Sequence, residues 1–301
     1  MSQEKLREFG RKPLALVLAL LVVALASGCG GWGGRELTLG YLGWDENVAN
    51  SNLIKVLLED EFGYETVELK LADDVRPVFE EVASGELDAF TDVWMPNHRA
   101  LVEEVESETE LSKETWYTGQ TEYGIAVPHY MQTRSIADLD SSAADMIIGI
   151  EPGAVLMQRI GANVIPEYDL DLALVEASTP AMLAELRRSY GAKEPIVFLA
   201  WSPHWMNAEY GFRYLEDPKD AIGQLDEPAD LHSITRNGFE EDDPVAYALI
   251  NAMKLDEAQV NTLELAINRA GDPERGVRNW LENNRDVVEP WIRVARQAQE
   301  G

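Results

Sequence analysis

From Glu36 onward, short apolar runs alternate with longer stretches whose apolar residues recur at helical spacing. The first series predicts, in chain order, strand 37–41, helix 48–62, strand 67–71, helix 75–84 and strand 87–93. Strands that alternate with helices favour parallel sheets, and ligands of such sheets bind beyond the carboxyl ends of the strands. The pattern therefore predicts an α/β fold with its chemistry at strand ends.

A second series of the same kind begins after a further apolar strand and indicates a second lobe. Beyond it the pattern is helical to the last residues, with Trp280 and Trp291 at spacings that suit core packing. The second series consists of strands 123–127, 146–150, 173–176 and 196–200 with helices 154–160 and 180–190, and strand 231–235 follows it.

The first 28 residues have the pattern of a secretory signal. A basic start is followed by an unbroken apolar run, residues 14–26, that is too short to span a membrane, and then by Ser27 and Gly28. Residues 1–28 are therefore predicted to be removed on export.

Cys29 is the only cysteine, so it forms no internal disulfide. Its position directly after small residues resembles a lipoprotein cleavage site, which predicts a lipid-modified Cys29. Ala26 stands where such sites usually carry Leu, so simple cleavage and an uncleaved anchor stay open as alternatives. The glycine-rich residues 29–35 predict a short tether.

The charge balance is strongly acidic, with 54 Asp and Glu against 25 Lys and Arg and a formal net charge of -29. Nucleic acid is excluded as a partner because phosphate backbones bind to clustered basic residues. Repulsion among the acids fades at molar salt, where the Debye length is about 3 Å. We interpret the composition as adaptation to a saline environment, with an ordinary acidic surface as the alternative.

Three tryptophans follow predicted strands directly into loops: Trp44, Trp94 and Trp201. A single Trp would be assigned to the core, but three at equivalent strand ends indicate a site. Indole faces attract cations, and a cage of them holds a methylated ammonium that has no hydrogen-bond donor. The three residues predict such a cage.

A zwitterion also needs a site for its anion. Pro152 and Gly153 open a predicted helix, and free amides at a helix start favour a carboxylate. We predict that the backbone N–H groups of Val155 and Leu156 bind it, with help from His98.

No catalytic or metal-binding motif emerges. The four histidines lack the spacing of a helical zinc site, no thiol pair exists, and no carboxylate pair singles itself out as acid and base. The sequence therefore predicts no enzyme, no metal and no cofactor.

Several segments together resemble the glycine betaine-binding proteins of ABC importers, the ProX and OpuAC type, over nearly all of the chain beyond residue 35. The segments that carry the resemblance are GWDENVANSNLIKVLLEDEFGY, SGELDAFTDVWMPNH, YGIAVPHYM, IIGIEPGAVLM, STPAMLAELRRSYGAKEPIVFLAWSPHW and YLEDPK.

The resemblance implies that Trp44, Trp94 and Trp201 box a trimethylammonium group. It also implies that a carboxylate is held by the amides of Val155 and Leu156 and by His98, with His204 as an alternative polar contact. The implied fold is a two-lobe type II periplasmic binding protein with a ligand cleft between the lobes. Lobe 1 is expected over 36–128 and 233–301, and lobe 2 over 129–232.

We therefore expect an exported, membrane-anchored solute-binding protein, with glycine betaine or a similar small zwitterion as ligand and an ABC permease transmembrane subunit as partner. A choline- or carnitine-binding protein is the nearest alternative. A surface lipoprotein that uses the tryptophans to bind another protein is a more distant one.

Overall fold

The computed structural model describes residues 36–140 and 144–300. The predictions for residues 1–28, for the tether 29–35 and for Cys29 lie outside the described residues. Within the described residues, ten strands form two five-stranded sheets. The strands are β1 (Glu36–Tyr41), β2 (Thr66–Leu71), β3 (Ala89–Met95), β4 (Thr109–Leu111), β5 (Glu122–Pro128), β6 (Met146–Ile148), β7 (Ala173–Val175), β8 (Val197–Ser202), β9 (Phe212–Tyr214) and β10 (Asp230–Arg236).

The two sheets share one plan. Their strand orders are β2-β1-β3-β10-β4 and β7-β6-β8-β5-β9. In each sheet three strands are parallel, and the fourth in the order is antiparallel to both of its neighbours. We call the first sheet with its helices lobe 1 and the second sheet with its helices lobe 2. The type II two-lobe α/β fold is confirmed.

The parallel strands that the alternation favoured are present, but the sheets are mixed, because β5 and β10 run antiparallel to their neighbours. Each of these two strands enters its sheet directly after the chain has crossed from the other lobe. The parallel strands end at the cleft between the lobes. A strand that enters from the cleft therefore runs away from it, in the opposite direction.

The crossings lie earlier than expected. Strand β5 pairs with β8 and β9, so lobe 2 begins before Glu122 and the boundary at Pro128 was too late. Strand β10 pairs with β3 and β4 from Asp230 onward, so the return to lobe 1 precedes His232. The crossings lie within residues 112–121 and within residues 215–229.

The helices cover the faces of the sheets. One of them is interrupted by a π-helical turn, Ile160–Val164, and two 3₁₀ turns occur at Ile136–Asp138 and Gly223–Asp226. The helices are α1 (Asp45–Phe62), α2 (Val75–Ser84), α3 (Arg99–Val105), α4 (Val155–Arg159), α5 (Ile165–Tyr168), α6 (Thr179–Ala192), α7 (Met206–Glu209), α8 (Phe239–Asp242), α9 (Pro244–Ala252), α10 (Glu257–Ala270), α11 (Pro273–Leu281) and α12 (Arg285–Glu300).

Helix α1 positions the cleft residues of lobe 1. It begins at Asp45, three residues before the predicted start at Val48, and its first turn carries Asp45 and Glu46, the charge that a helix N-terminus favours. It ends where predicted, because Gly63 takes a left-handed φ of 70° that residues with a side chain rarely adopt. Trp44 directly precedes α1, so the start of the helix determines the position of its indole ring.

Buried apolar residues fill both lobes. Phe79, Phe90 and Phe239 are fully buried in lobe 1, and Phe198 is fully buried in lobe 2. Trp280 and Trp291 are buried in the helices of lobe 1, as their spacing predicted. Among residues 36–140 and 144–300, no helix has both the length and the apolar character that crossing a membrane requires.

Candidate functional site

The three tryptophans selected from the sequence line one pocket between the lobes. Trp44 directly precedes α1, while Trp94 and Trp201 occupy the next-to-last positions of β3 and β8. All three are buried. They come together because both sheets direct the carboxyl ends of their parallel strands toward the cleft.

The pocket is concave and mostly apolar, as sites for small molecules usually are. Both lobes contribute to its wall, which combines aromatic rings with a few polar groups. Its lining residues are Trp44, Glu46, Trp94, Asn97, His98, Tyr123, Ile150, Val155 and Trp201.

Tyr123 adds a fourth aromatic ring that the sequence did not single out. It pairs with Trp201 across β5 and β8, and its ring centroid lies 5.8 Å from that of Trp94. Burial raises the pKa of its hydroxyl, so the phenol stays protonated. Because β5 runs away from the cleft, its first residues line the pocket. The rule that sites lie at strand ends therefore missed Tyr123.

The indole N–H groups of the cage have different partners. Trp94 Nε1 donates to Asp92 Oδ1 at 3.2 Å, and Trp201 Nε1 donates across the cleft to Glu46 Oε2 at 2.8 Å. Trp44 Nε1 is buried and has no acceptor within the described residues. One indole donor in the pocket wall is therefore free to bind a ligand oxygen.

His98 lies in the pocket wall with a defined tautomer. Its Nδ1 accepts the backbone N–H of Trp94 at 3.1 Å, so the proton of the neutral ring resides on Nε2. Burial lowers the pKa of His98 to about 3, which keeps the ring neutral at ordinary pH. The ring is stacked near Trp44, with 6.3 Å between centroids. His98 is thus a neutral donor next to the cage.

The helix start selected for the carboxylate is only partly in the pocket wall. Helix α4 begins at Val155, as the sequence suggested, and Val155 lines the pocket. Leu156 does not line it, and its backbone N–H donates to the hydroxyl oxygen of Tyr123. The structure therefore brings Val155 to the site and gives the Leu156 amide an internal partner.

His204 lies behind the cage rather than in the pocket wall. It is fully buried, with its ring centroid 4.6 Å from that of Trp201. Its Nδ1 accepts the N–H of Met206 at 3.0 Å, and its Nε2 faces Asp45 Oδ2 at 3.4 Å. His204 supports the position of Trp201 and points toward the start of α1.

Three acids are buried at or behind the pocket: Glu46, Asp92 and Glu264. Burial is the main cause that raises the pKa of each, to about 8 for Asp92 and well above the usual range for the other two. Nearby negative charges add to the effect at Glu46 and Glu264. Sequence reasoning missed Glu46 because nothing distinguished it among 54 acidic residues.

The lobes also meet outside the pocket. The indole of Trp205 donates to Asp45 Oδ1 at 2.7 Å, and the Trp205 backbone N–H donates to Glu264 Oε2 at 2.6 Å. Nearby, Gly153 of lobe 2 approaches Asp74 of lobe 1 very closely. A Cβ added to Gly153 would lie only 2.5 Å from Cγ and 2.9 Å from Cα of Asp74. Contacts outside the pocket wall therefore also hold the two lobes together.

Across the part of the chain that the structure describes, no group of three or more His, Cys, Asp or Glu side chains could hold a metal ion. What the pocket offers is an aromatic surround for a cationic group, with neutral hydrogen-bond donors and one buried carboxyl beside it.

Comparison with known proteins agrees with this geometry. Residues 35–283 match the family model described as the substrate binding domain of ABC-type glycine betaine transport systems. The chain is 34% identical to a glycine betaine/carnitine transport binding protein of Listeria monocytogenes, over 51% of this chain and 51% of that protein. The aligned part spans about half the length of the curated relatives that the chain matches.

Solved structures are similar over greater lengths. Lactococcal OpuAC, crystallised closed with glycine betaine, is 29% identical with a TM-score of 0.75 and covers 86% of this chain and 99% of its own. ProX of Borrelia burgdorferi is 25% identical with a TM-score of 0.77 and covers 88% of this chain and 100% of its own. The chain belongs to the OpuAC family, the substrate-binding domains of ABC-type glycine betaine transport systems, which are solute-binding proteins rather than enzymes.

Proposed function

We propose that this protein captures glycine betaine, or a related quaternary-ammonium osmoprotectant, and delivers it to the permease of an ABC importer. One observation carries the proposal: Trp44, Trp94 and Trp201 surround a single pocket that is closed by both lobes. A ligand held there touches lobe 1 and lobe 2 at once. Binding then favours closure, and a permease can recognise the closed form.

The cage suits a trimethylammonium group. Such a group has no hydrogen-bond donor, so ring faces are its best partners in a buried site. Each cation–π contact contributes about 0.5 to 2 kcal/mol, with the larger values in desolvated sites. Three indoles and the ring of Tyr123 together support binding without a formal ion pair.

Donors in the pocket wall support a ligand that also carries a carboxylate. His98 presents Nε2–H, Trp44 presents an indole N–H without a partner, and Val155 begins a helix whose first amides lack intrahelical acceptors. The Leu156 amide joins them only if it exchanges its bond with Tyr123 for one to the ligand. His204 acts through the position of Trp201.

Choline or carnitine remains a second candidate, and Glu46 is the observation that favours a more cationic ligand. Its carboxyl group lies in the pocket wall beside the cage, and an ionised Glu46 would attract a ligand that has no carboxylate of its own. Carnitine carries both kinds of group, so it suits the donors as well as Glu46.

The location follows from the same proposal. We infer an extracytoplasmic protein that is held at the membrane by lipid on Cys29, beyond the glycine-rich tether. The anchor keeps the binding protein close to its permease, which raises the effective concentration of one for the other. Incorporation of labelled lipid into the full chain, and its loss in Cys29→Ser, would test the anchor.

Tryptophan fluorescence of the exported chain, titrated with glycine betaine, carnitine, choline and proline, tests the function. We expect saturable changes with the quaternary-ammonium solutes and none with proline at equal concentration. Trp94→Ala should abolish the change, while Trp205→Phe, outside the pocket, should retain it. A folded sample that responds to none of these solutes would overturn the proposal and favour a surface that binds another protein.

A further inference from the structure

Two buried acids stand side by side where the cage meets lobe 1. Glu46 is 2% exposed and lines the pocket, while Asp92 is fully buried behind it. Indole N–H groups donate to one oxygen of each: Trp201 to Glu46 and Trp94 to Asp92. The charges that act on Glu46 are those of other acids, Asp92 and Glu264. The two carboxyl groups are therefore buried, and no basic side chain of the described residues acts on either of them.

The second oxygen of Asp92 decides how this pair holds its protons. Asp92 Oδ2 is buried and has no hydrogen-bond partner within the described residues, and the carboxyl group of Asp92 interacts with that of Glu46. Two carboxylates in contact repel each other, so the pair retains a proton where isolated acids would be ionised. Burial raises the pKa of Asp92 to about 8, and this titration belongs to the pair as a whole.

The groups around the pair oppose the loss of that proton. Glu264 faces it from α10, and Asp45 precedes Glu46 in the first turn of α1. From lobe 2, the protonated hydroxyl of Tyr123 lies close enough to sense the charges of both acids.

The two nearby histidines do not offset this negative charge at the pair. His98 is held neutral by burial. His204 faces Asp45 at 3.4 Å rather than the pair itself. A positive charge in the cage is what would favour full ionisation of the two acids.

We propose that Glu46 and Asp92 determine specificity by coupling the charge of the ligand to the release of a proton. The proposal rests on the proposed function, because it requires a quaternary ammonium in the cage. In the free protein the pair retains a proton. When a ligand whose only charge is the ammonium binds next to Glu46, that proton leaves to the solvent and the ammonium replaces it as the balancing charge.

A zwitterion acts more weakly on the same pair. Its carboxylate lies a few bonds from the ammonium and cancels part of the electric field at Glu46. On average, fewer protons are therefore released per ligand bound. The pair therefore favours zwitterions at low pH and admits cations as the pH rises. The same pocket changes its preference without any change in shape.

The direction of the pH effect follows from linkage. Because the complex binds fewer protons than the free protein, affinity rises with pH while the free pair still holds the proton that binding releases, and it levels off once the free pair has lost that proton. For choline the rise reaches about tenfold per pH unit, the limit for release of one proton. For glycine betaine we expect less than about half of that slope on a logarithmic scale.

Calorimetry of the full exported chain tests the proposal. Choline and glycine betaine are each titrated at about pH 6, 7 and 9 in phosphate and in Tris, whose ionisation enthalpies differ, so that the difference in heat counts the protons released. At about pH 7 we expect nearly one proton for choline and clearly fewer for betaine. Asp92→Asn, which removes the pair but does not alter the pocket wall, should abolish the release and flatten the pH profile.

Asp45→Asn is the matched control, because it removes a neighbouring acid that does not contact Asp92, and it should keep the proton release. Equal proton counts for the two ligands, or an Asp92→Asn protein that still releases the proton, would overturn the inference while leaving the proposed function intact. If neither ligand produces heat, both fail. Should Asp92→Asn not fold, the comparison of the two ligands on the unaltered protein decides the matter.

Discussion

Trp201 and Trp205 stand four residues apart in lobe 2, and each donates its indole N–H across the cleft to an acid in the first turn of α1. Trp201 bonds to Glu46 and lines the pocket, whereas Trp205 bonds to Asp45 and lies outside it. The backbone of Trp205 also donates to Glu264. Similar bonds between the same two lobes thus serve two different purposes.

This difference between Trp201 and Trp205 distinguishes residues that bind the ligand from residues that only stabilise the closed arrangement of the lobes. Contacts of Trp201 are made both to the other lobe and to whatever occupies the pocket. Contacts of Trp205 join the lobes whichever solute is bound, so they change the population of the closed form and not the choice of ligand. Substitutions on the two sides of this division should differ in size and in ligand dependence.

The largest effect is expected from Trp201→Ala. The substitution removes a cation–π contact of up to about 2 kcal/mol and a bond to a buried acid of about 1.5 to 3 kcal/mol. Affinity for glycine betaine in calorimetry should fall about 100-fold or more. Trp205→Ala should cost about tenfold or less, because the ligand does not touch it. If the two variants lost the same affinity for glycine betaine, the proposed distinction between ligand binding by Trp201 and closure by Trp205 would be wrong.

Gly153→Ala should have the next largest effect. A Cβ at this position would meet Cγ and Cα of Asp74, whose side chain is held because it caps α2 by accepting the N–H of Arg76 at 3.0 Å. Overpacking of this kind costs about 1 to 3 kcal/mol, or about 10- to 100-fold in affinity. The loss should be the same for betaine and choline, since it opposes closure.

Gly161→Ala provides the matched control, because a Cβ there would meet only Leu174 at an ordinary 3.7 Å. Its affinity should match that of the unaltered protein. If Gly153→Ala binds as tightly as this control, the approach of the two lobes at Asp74 has no part in closure.

A smaller effect is expected from Asp45→Ala. It removes the acceptor of the Trp205 indole, and hydrogen bonds to charged groups are worth about 1.5 kcal/mol or somewhat more. Titrations should show losses of about tenfold that are equal for betaine and choline. Asp60→Ala, at the far end of α1 in an exposed pair with Arg278, should leave affinity unchanged. A loss confined to one ligand would place Asp45 in the binding site itself.

Salt should affect the pocket least of all. The net charge of -29 makes the exterior repel itself, so the free energy of unfolding should rise between about 0.1 and 2 M KCl. The cage is buried and is screened far less, so affinity for betaine should change less than about twofold. Denaturant melts and titrations at the two salt concentrations check both parts. An affinity that falls tenfold would mean that the surface charge contributes to binding.

The sequence predicted those parts of the site that follow from local pattern. Trp44, Trp94 and Trp201 could be found because a tryptophan that follows an apolar strand can be recognised from the sequence alone. Eight of the ten strands in the described residues, the end of α1 at Gly63 and the core positions of Trp280 and Trp291 were found for the same reason, whereas the three-residue strands β4 and β9 were missed.

Features that depend on long-range pairing could not be found in this way. Tyr123 lines the pocket only because β5 runs antiparallel after the crossing, and the direction of a strand leaves no mark in its own residues. Glu46 and Asp92 meet because α1 packs against β3, and neither acid differs in sequence from dozens of others. The crossings were placed late because a strand looks the same in either lobe.

The position of β10 in the first sheet has a consequence for how the protein is made. Strand β10 lies between β3 and β4, although about 120 or more residues of chain separate it from both. Lobe 2 is one continuous stretch and can complete its sheet as it leaves the ribosome. Lobe 1 must wait for residues 230–236 before its sheet is whole. We therefore expect the lobe that is synthesised later to fold first, with the earlier one as the segment that chaperones protect during export.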